Sequence, residues 1–185
     1  MMITLTGFMG GGKTTVGRLL ADALGCPFMD LDDLVVKKAG KSIPDIFAQD
    51  GEPAFRQLEA QVLRKTVDKY AESTAVLALG GGAVLAPASA ALLHETTVCI
   101  YLRATLDTLL ARLAGETAGR PLLQEIPDQV GDDGGSVVMP GPDRASVSAR
   151  LASREPIYEE TAHVIIDTDG LSPDEVTDEI IISAL

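Results

Sequence analysis

The sequence predicts a doubly wound α/β fold, a five-stranded parallel sheet with helices on both faces. Three observations carry this expectation. Five short apolar, β-leaning runs alternate with segments of helical period. One of the runs, TVCIYLR, has no in–out alternation, as expected of a strand covered on both sides. A glycine-rich stretch, GFMGGGKTT, joins the first run to the first helix. That is where such sheets bind ligands, at the carboxyl ends of their strands.

The elements follow in order. MITLTG is a strand ending at Gly7. Val16, Leu19, Leu20 and Ala23 then fall at helical spacing, and Gly25 can stop that helix. CPFMDLD reads as a second strand ending in acids, and DLVVKKAG as a short helix stopped by Gly40. Ser42 and Asp45 open a capping-box-like start with Pro44 in the first turn, and a longer helix follows from about Glu52 to Ala71. TAVLALGGG is a strand ending in three glycines, and PASAALLHE a helix with Pro87 at its start. TVCIYLR precedes a helix that should end at Gly115. ASVSARLASREPIYEETA is helical in pattern with Pro156 inside it, HVIIDT is the last strand, and Ser172 caps the last helix. From Glu116 to Asp143 periodicity fades and Gly, Pro and Asp accumulate, which suggests a mobile lid carrying an acidic insertion, about 124–143.

Composition bounds the function. The chain has 185 residues and a formal net charge of −12, with 4% aromatics and no Trp. That length favours one domain, 1–185, with an aliphatic core. The acidic balance argues against a nucleic-acid binder working through a broad basic surface. It also requires that any anionic ligand be met by a few local cations. Cys26 and Cys99 fit neither a disulfide framework nor a metal motif, and read as reduced thiols of a cytoplasmic protein. No apolar run is long enough to span a membrane, and the first residues do not read as a signal peptide.

Gly7, Gly12, Lys13 and Thr14 match G-x-x-x-x-G-K-[ST] between a predicted strand and a predicted helix. Glycines let successive N–H groups turn toward phosphate oxygens, and the helix start adds its positive end. Lys13 suits the β- and γ-phosphates, and the Thr14 hydroxyl suits Mg²⁺. The motif indicates a nucleoside triphosphate. No Asn-Lys-x-Asp tetrad accompanies it, so ATP is expected rather than GTP.

Three weaker patterns address the acceptor. Asp30 and Asp32, two apart in an expected extended segment, would face one side beside the phosphate loop. One can serve a metal through water and one can take a hydroxyl proton, unless Asp32 or Asp33 merely caps the next helix. Arg56 and Glu59, three apart on a helix, can pair, either as a surface ion pair or as a held clamp for a carboxylate. Gly80, Gly81 and Gly82 form either an ordinary turn or a bare backbone that a ligand approaches closely.

Phosphate loop, D-x-D, F-R-x-x-E, G-G-G, R-P-L-L and R-x-P-x-Y, in this order, resemble the shikimate kinase family over nearly the whole chain. The resemblance implies a P-loop kinase that transfers the γ-phosphoryl group of ATP to the 3-hydroxyl of shikimate, with Mg²⁺, as a monomer. It implies that Gly10, Gly11, Gly12, Lys13, Thr14 and Thr15 hold ATP, with Arg112 near adenine and the lid residue Arg120 on the phosphates. Thr14 and Asp30 would serve the metal. Asp32, Arg56, Gly80, Gly81, Gly82 and Arg154 would bind shikimate in an acceptor segment, about 32–60, and beyond it. Lys13, Asp32 and Arg120 would carry the chemistry. Arg144 and Arg150 are alternatives to Arg154, and the stretch DTDGLSP after the last strand offers adenine no cation. A gluconate-kinase-like enzyme and a catalytically silent nucleotide-binding module are the competing readings.

Overall fold

The computed structural model describes residues 1–117 and 144–184. The five strands are β1 (Met2–Thr6), β2 (Phe28–Asp30), β3 (Ala75–Ala78), β4 (Val98–Arg103) and β5 (Val164–Asp167). They form one sheet of order β2-β3-β1-β4-β5, and every pairing is parallel. The helices are α1 (Lys13–Leu24), α2 (Leu31–Ala39), α3 (Ile43–Lys69), α4 (Pro87–Thr96), α5 (Leu106–Thr117), α6 (Arg144–Thr161) and α7 (Pro173–Ala184). A 3₁₀ turn spans Ala83–Leu85. The doubly wound expectation holds: the phosphate loop follows the central strand β1, and β1 lies between β3 and β4.

Strand periodicity builds two cores. Ile3 and Leu5 of β1, Val76 of β3, and Ile100 and Leu102 of β4 pack on one face against Val16 and Leu20 of α1 and Val176 and Ile180 of α7. Met2, Leu77 and Tyr101 turn to the other face, where α2, α3, α4 and α6 supply Leu31, Leu63, Leu93 and Tyr158. Adjacent strand residues belong to opposite cores, as the two-residue period requires. β4 is buried along its centre, consistent with helices on both sides.

Two boundaries differ from the sequence expectation. The second strand stops at Asp30 rather than running through Asp32. The Asp30 side chain accepts the Asp32 backbone N–H at 3.0 Å, so Asp30 is the N-cap of α2 and Asp32 sits in its first turn. Capping ends the strand there, because a short carboxylate satisfies an otherwise unpaired helix N–H. The helix after β4 passes through Gly115 and ends at Thr117. Gly51, at φ 80° and ψ 168°, interrupts α3 just before Glu52, where the sequence placed the start of the longer helix. Ser172 caps α7 in a reciprocal arrangement, its Oγ accepting from the Glu175 N–H while the Glu175 carboxylate accepts from the Ser172 N–H. No helix among the described residues is long and apolar enough to cross a membrane.

Candidate active site

The phosphate loop turns sharply between β1 and α1. Gly10 and Gly12 have φ of 77° and 83°, a region that costs a side chain dearly, and Gly12 is the N-cap of α1. The Lys13 ammonium donates to the backbone carbonyls of Gly7 at 2.9 Å and Phe8 at 2.8 Å, so it lies folded over its own loop. The Thr14 hydroxyl donates to Asp30 Oδ2 at 2.9 Å. Capping by Asp30 and this bond to Thr14 tie the end of β2 to the starts of α1 and α2. A hydroxyl and a carboxylate oxygen are the donors a hard divalent cation takes, with phosphates and water completing the shell. The residues present therefore fit such an ion.

A cleft of about 300 Å³ runs beside this loop, lined by Gly10, Gly12, Thr15, Arg112, Thr168 and Leu171. Arg112 is held there by two bonds, from Nη1 to Thr168 Oγ1 at 3.0 Å and from Nη2 to the Thr168 carbonyl at 2.9 Å. Pro173 and Val176 at the start of α7 complete the apolar side. The Thr105 N–H and hydroxyl both donate to the Asp169 carboxylate, tying the start of α5 to the loop after β5. The structure brings Arg112 together with the stretch DTDGLSP, which the sequence set beside adenine without a cation; Val176, one turn into α7, is the lining residue that the sequence did not single out.

On the other side of the loop the acceptor candidates meet. The Arg56 guanidinium donates to Glu59 Oε2 at 2.9 Å and to Glu52 Oε1 at 3.3 Å. A Cβ on Gly82 would lie 2.6 Å from Arg56 Nη1, and one on Gly80 would lie 2.8 Å from Asp32 Oδ1. Gly80 and Gly82 are thus the floor on which an acid and a guanidinium rest, and any side chain would displace them. Val147, Leu151 and Tyr158 are buried along α6 at helical spacing, and Arg154 lies on that same stripe. Arg154 stands 5.9 Å from the Phe8 ring centroid. The Tyr158 hydroxyl donates to the Gly81 carbonyl at 2.5 Å, and the Arg154 guanidinium beside it offsets part of the rise that burial causes in the tyrosine pKa. The tyrosine anchors the glycine loop; sequence reasoning quoted it only within R-x-P-x-Y. Its spacing of four from Arg154 was the usable signal.

Arg56, Asp32, Gly80 to Gly82 and Arg154 are thus gathered around one loop. Arg144 instead pairs with Asp107 on the exposed surface. Of the expected lid and insertion, about 116–143, Glu116 and Thr117 belong to α5 instead, and residues 118–143, Arg120 among them, lie outside the described residues.

Charge crowding sets the acid–base character. Burial, then the carboxylates of Asp30 and Glu59, push the Asp32 carboxyl up to about 6, against a downward pull from Lys13. Burial also raises Glu59, against the pull of its bond to Arg56.

The fold and the loop between β1 and α1 together define a P-loop phosphotransferase. The model of the shikimate kinase family matches residues 9–184, and the chain belongs to that family. It is 44% identical over 169 residues to a shikimate kinase of Salinibacter ruber, covering 91% of this chain and 78% of that one. It is 39% identical over 180 residues to a shikimate kinase of Enterococcus faecalis, covering 97% and 95%. Among solved structures, a shikimate kinase from Acinetobacter baumannii in complex with shikimate aligns with a TM-score of 0.79 at 33% identity, covering 97% of this chain and 90% of that one.

Proposed function

We propose that this chain is an ATP-dependent shikimate kinase, transferring the γ-phosphoryl group to the 3-hydroxyl of shikimate to give shikimate 3-phosphate and ADP, a step toward chorismate and the aromatic amino acids. The observation that carries the reading is the convergence of Arg56, Arg154 and Asp32 on Gly80 to Gly82 beside the phosphate loop. A ring carboxylate needs a cation with a planar fork, and two arginines supply it.

In this reading Gly10, Gly11, Gly12 and Thr15 hold the phosphate chain through backbone and hydroxyl donors. Lys13 leaves the carbonyls of Gly7 and Phe8 and turns to the β- and γ-phosphates. Arg112 and the Thr168–Val176 wall take the base. Thr14, and Asp30 through water, would hold Mg²⁺, which would offset phosphate charge. Arg56, oriented by Glu59, and Arg154 grip the shikimate carboxylate. Asp32 accepts the proton of the 3-hydroxyl as its oxygen bonds to the γ-phosphorus and the bond to the ADP oxygen breaks. Its raised pKa makes it a better proton acceptor than an ordinary aspartate, while it remains ionised above about pH 6. Arg120 meets the charge on the transferring group. The enzyme is expected to act as a cytoplasmic monomer.

The test is ADP release, coupled to a reporter, across acceptors. Release should require shikimate and Mg²⁺ together, and gluconate or nucleoside monophosphates should give none. Turnover with another acceptor and none with shikimate would overturn the assignment.

A further inference from the structure

The Thr14–Asp30 pair is not positioned by the phosphate loop alone. β2 is only three residues long and lies at the edge of the sheet, paired to β3 on one side. Its lateral position therefore depends on what it packs against. Phe28 and Asp30 are two apart and share a face, and Met29 turns to the opposite core. Thr14 and Gly17 are three apart on α1 and also share a face. The two elements thus meet along two rungs. In the upper rung, Thr14 Oγ1 lies 2.9 Å from Asp30 Oδ2. In the lower rung, the Phe28 ring presses against bare backbone, and a Cβ on Gly17 would come within 2.6 Å of Phe28 Cε2 and 3.3 Å of Leu5 Cδ1. The Arg18 guanidinium lies 5.0 Å from the centroid of the same ring and holds it in place.

We propose that Gly17 and Phe28 are positioning residues that set the spacing of the Thr14–Asp30 oxygen pair, and so the affinity of the site for its divalent cation. The lower rung acts as a spacer. Any side chain at residue 17 pushes the ring, and with it β2, away from α1, opening the upper rung two strand residues further on. Leu5 Cδ1 lies 3.3 Å from the same Cβ position, so the added group cannot turn from the ring toward β1. This inference rests on Thr14 and Asp30 being the metal-holding pair.

The experiment measures Mn²⁺ binding by electron paramagnetic resonance in ADP-saturated protein, with shikimate binding by calorimetry as the control for folding. Thr14→Ala tests the underlying assignment. It should weaken Mn²⁺ binding, and an unchanged constant would overturn the assignment itself. Gly17→Ala should weaken Mn²⁺ by about tenfold or more, the scale seen when groups behind a metal ligand are changed. Shikimate affinity should fall by a clearly smaller factor than Mn²⁺ affinity, since Arg56 and Gly80 to Gly82 lie off both rungs and only Asp32, through its N–H bond to Asp30, is tied to one of them. Phe28→Leu added to Gly17→Ala makes room for the new methyl group and should recover most of the lost affinity. Loss in Thr14→Ala with no change in Gly17→Ala would overturn the proposal while leaving the metal assignment standing. A double variant as weak as Gly17→Ala would likewise overturn it.

Discussion

At the scale of single residues, the site holds carboxylates close together at a cost to the fold. Burial and the charges of Asp30 and Glu59 raise Asp32 from 3.8 to about 6. The native state therefore binds this proton more tightly than the unfolded chain does. Stability supplied by the protonated acid is present below about pH 4 and is lost as pH rises through about 6. Asp32→Asn should thus stabilise the ligand-free protein at pH 7.5 by on the order of 1–2 kcal/mol, after discounting for partial solvent screening. It should also lower kcat by about a hundredfold or more, because a proton acceptor is lost. Denaturant unfolding and steady-state rates check the two halves. In the unmutated enzyme, kcat/KM for shikimate should fall with decreasing pH below about 6, as Asp32 gains its proton. Arg56 gives the complementary expectation. Arg56→Lys keeps the charge but loses the fork that Glu59 orients. KM for shikimate should rise about tenfold or more, with KM for ATP nearly unchanged.

At the scale of elements, α6 works as a brace. Its buried stripe carries Tyr158 against Tyr101 of β4, with ring centroids 5.2 Å apart, and delivers the hydroxyl to Gly81. Tyr158→Phe leaves the packing but removes the bond, and should cost about 1 kcal/mol of stability. Because the glycine loop then loosens, KM for shikimate should rise several-fold while KM for ATP holds. Equal change in both would mean that the brace serves the fold and not the acceptor half. The elements also explain what sequence could reveal. The alternation of strands and helices, the start of the longer helix near Glu52 and the Ser172 cap were legible because each depends on local pattern or cap chemistry. The end of β2 was misread because Asp30 acts as a cap, and capping competes with strand extension over a single residue. The pairing of Arg56 with Glu59 was visible in their spacing, but its seating on Gly82 was not, because that contact joins α3 to the loop after β3. The stretch after β5 was singled out in the sequence, but its cleft was not, because the lining joins the phosphate loop, α5 and the Thr168–Val176 segment.

At the scale of the molecule, the topology puts the two proposed half-sites on either side of β1. The chain carries a net charge of −12, and both proposed substrates are anions. Binding must therefore rest on the local cations Lys13, Arg56, Arg112 and Arg154, each on a different element or loop end. Their common location is the carboxyl edge of the parallel sheet, where strand ends and helix starts gather. The doubly wound order brings the phosphate loop and the Gly80–Gly82 loop side by side because β1 and β3 are neighbours. Direct transfer from one half to the other is the central claim. Phosphorus NMR of a reaction containing ATP, Mg²⁺ and shikimate tests it most directly. The γ-phosphoryl signal should convert to one phosphomonoester, coupled to the proton on ring carbon 3, with ADP formed in equal amount. Inorganic phosphate in place of that ester, or an ester at another hydroxyl, would contradict it.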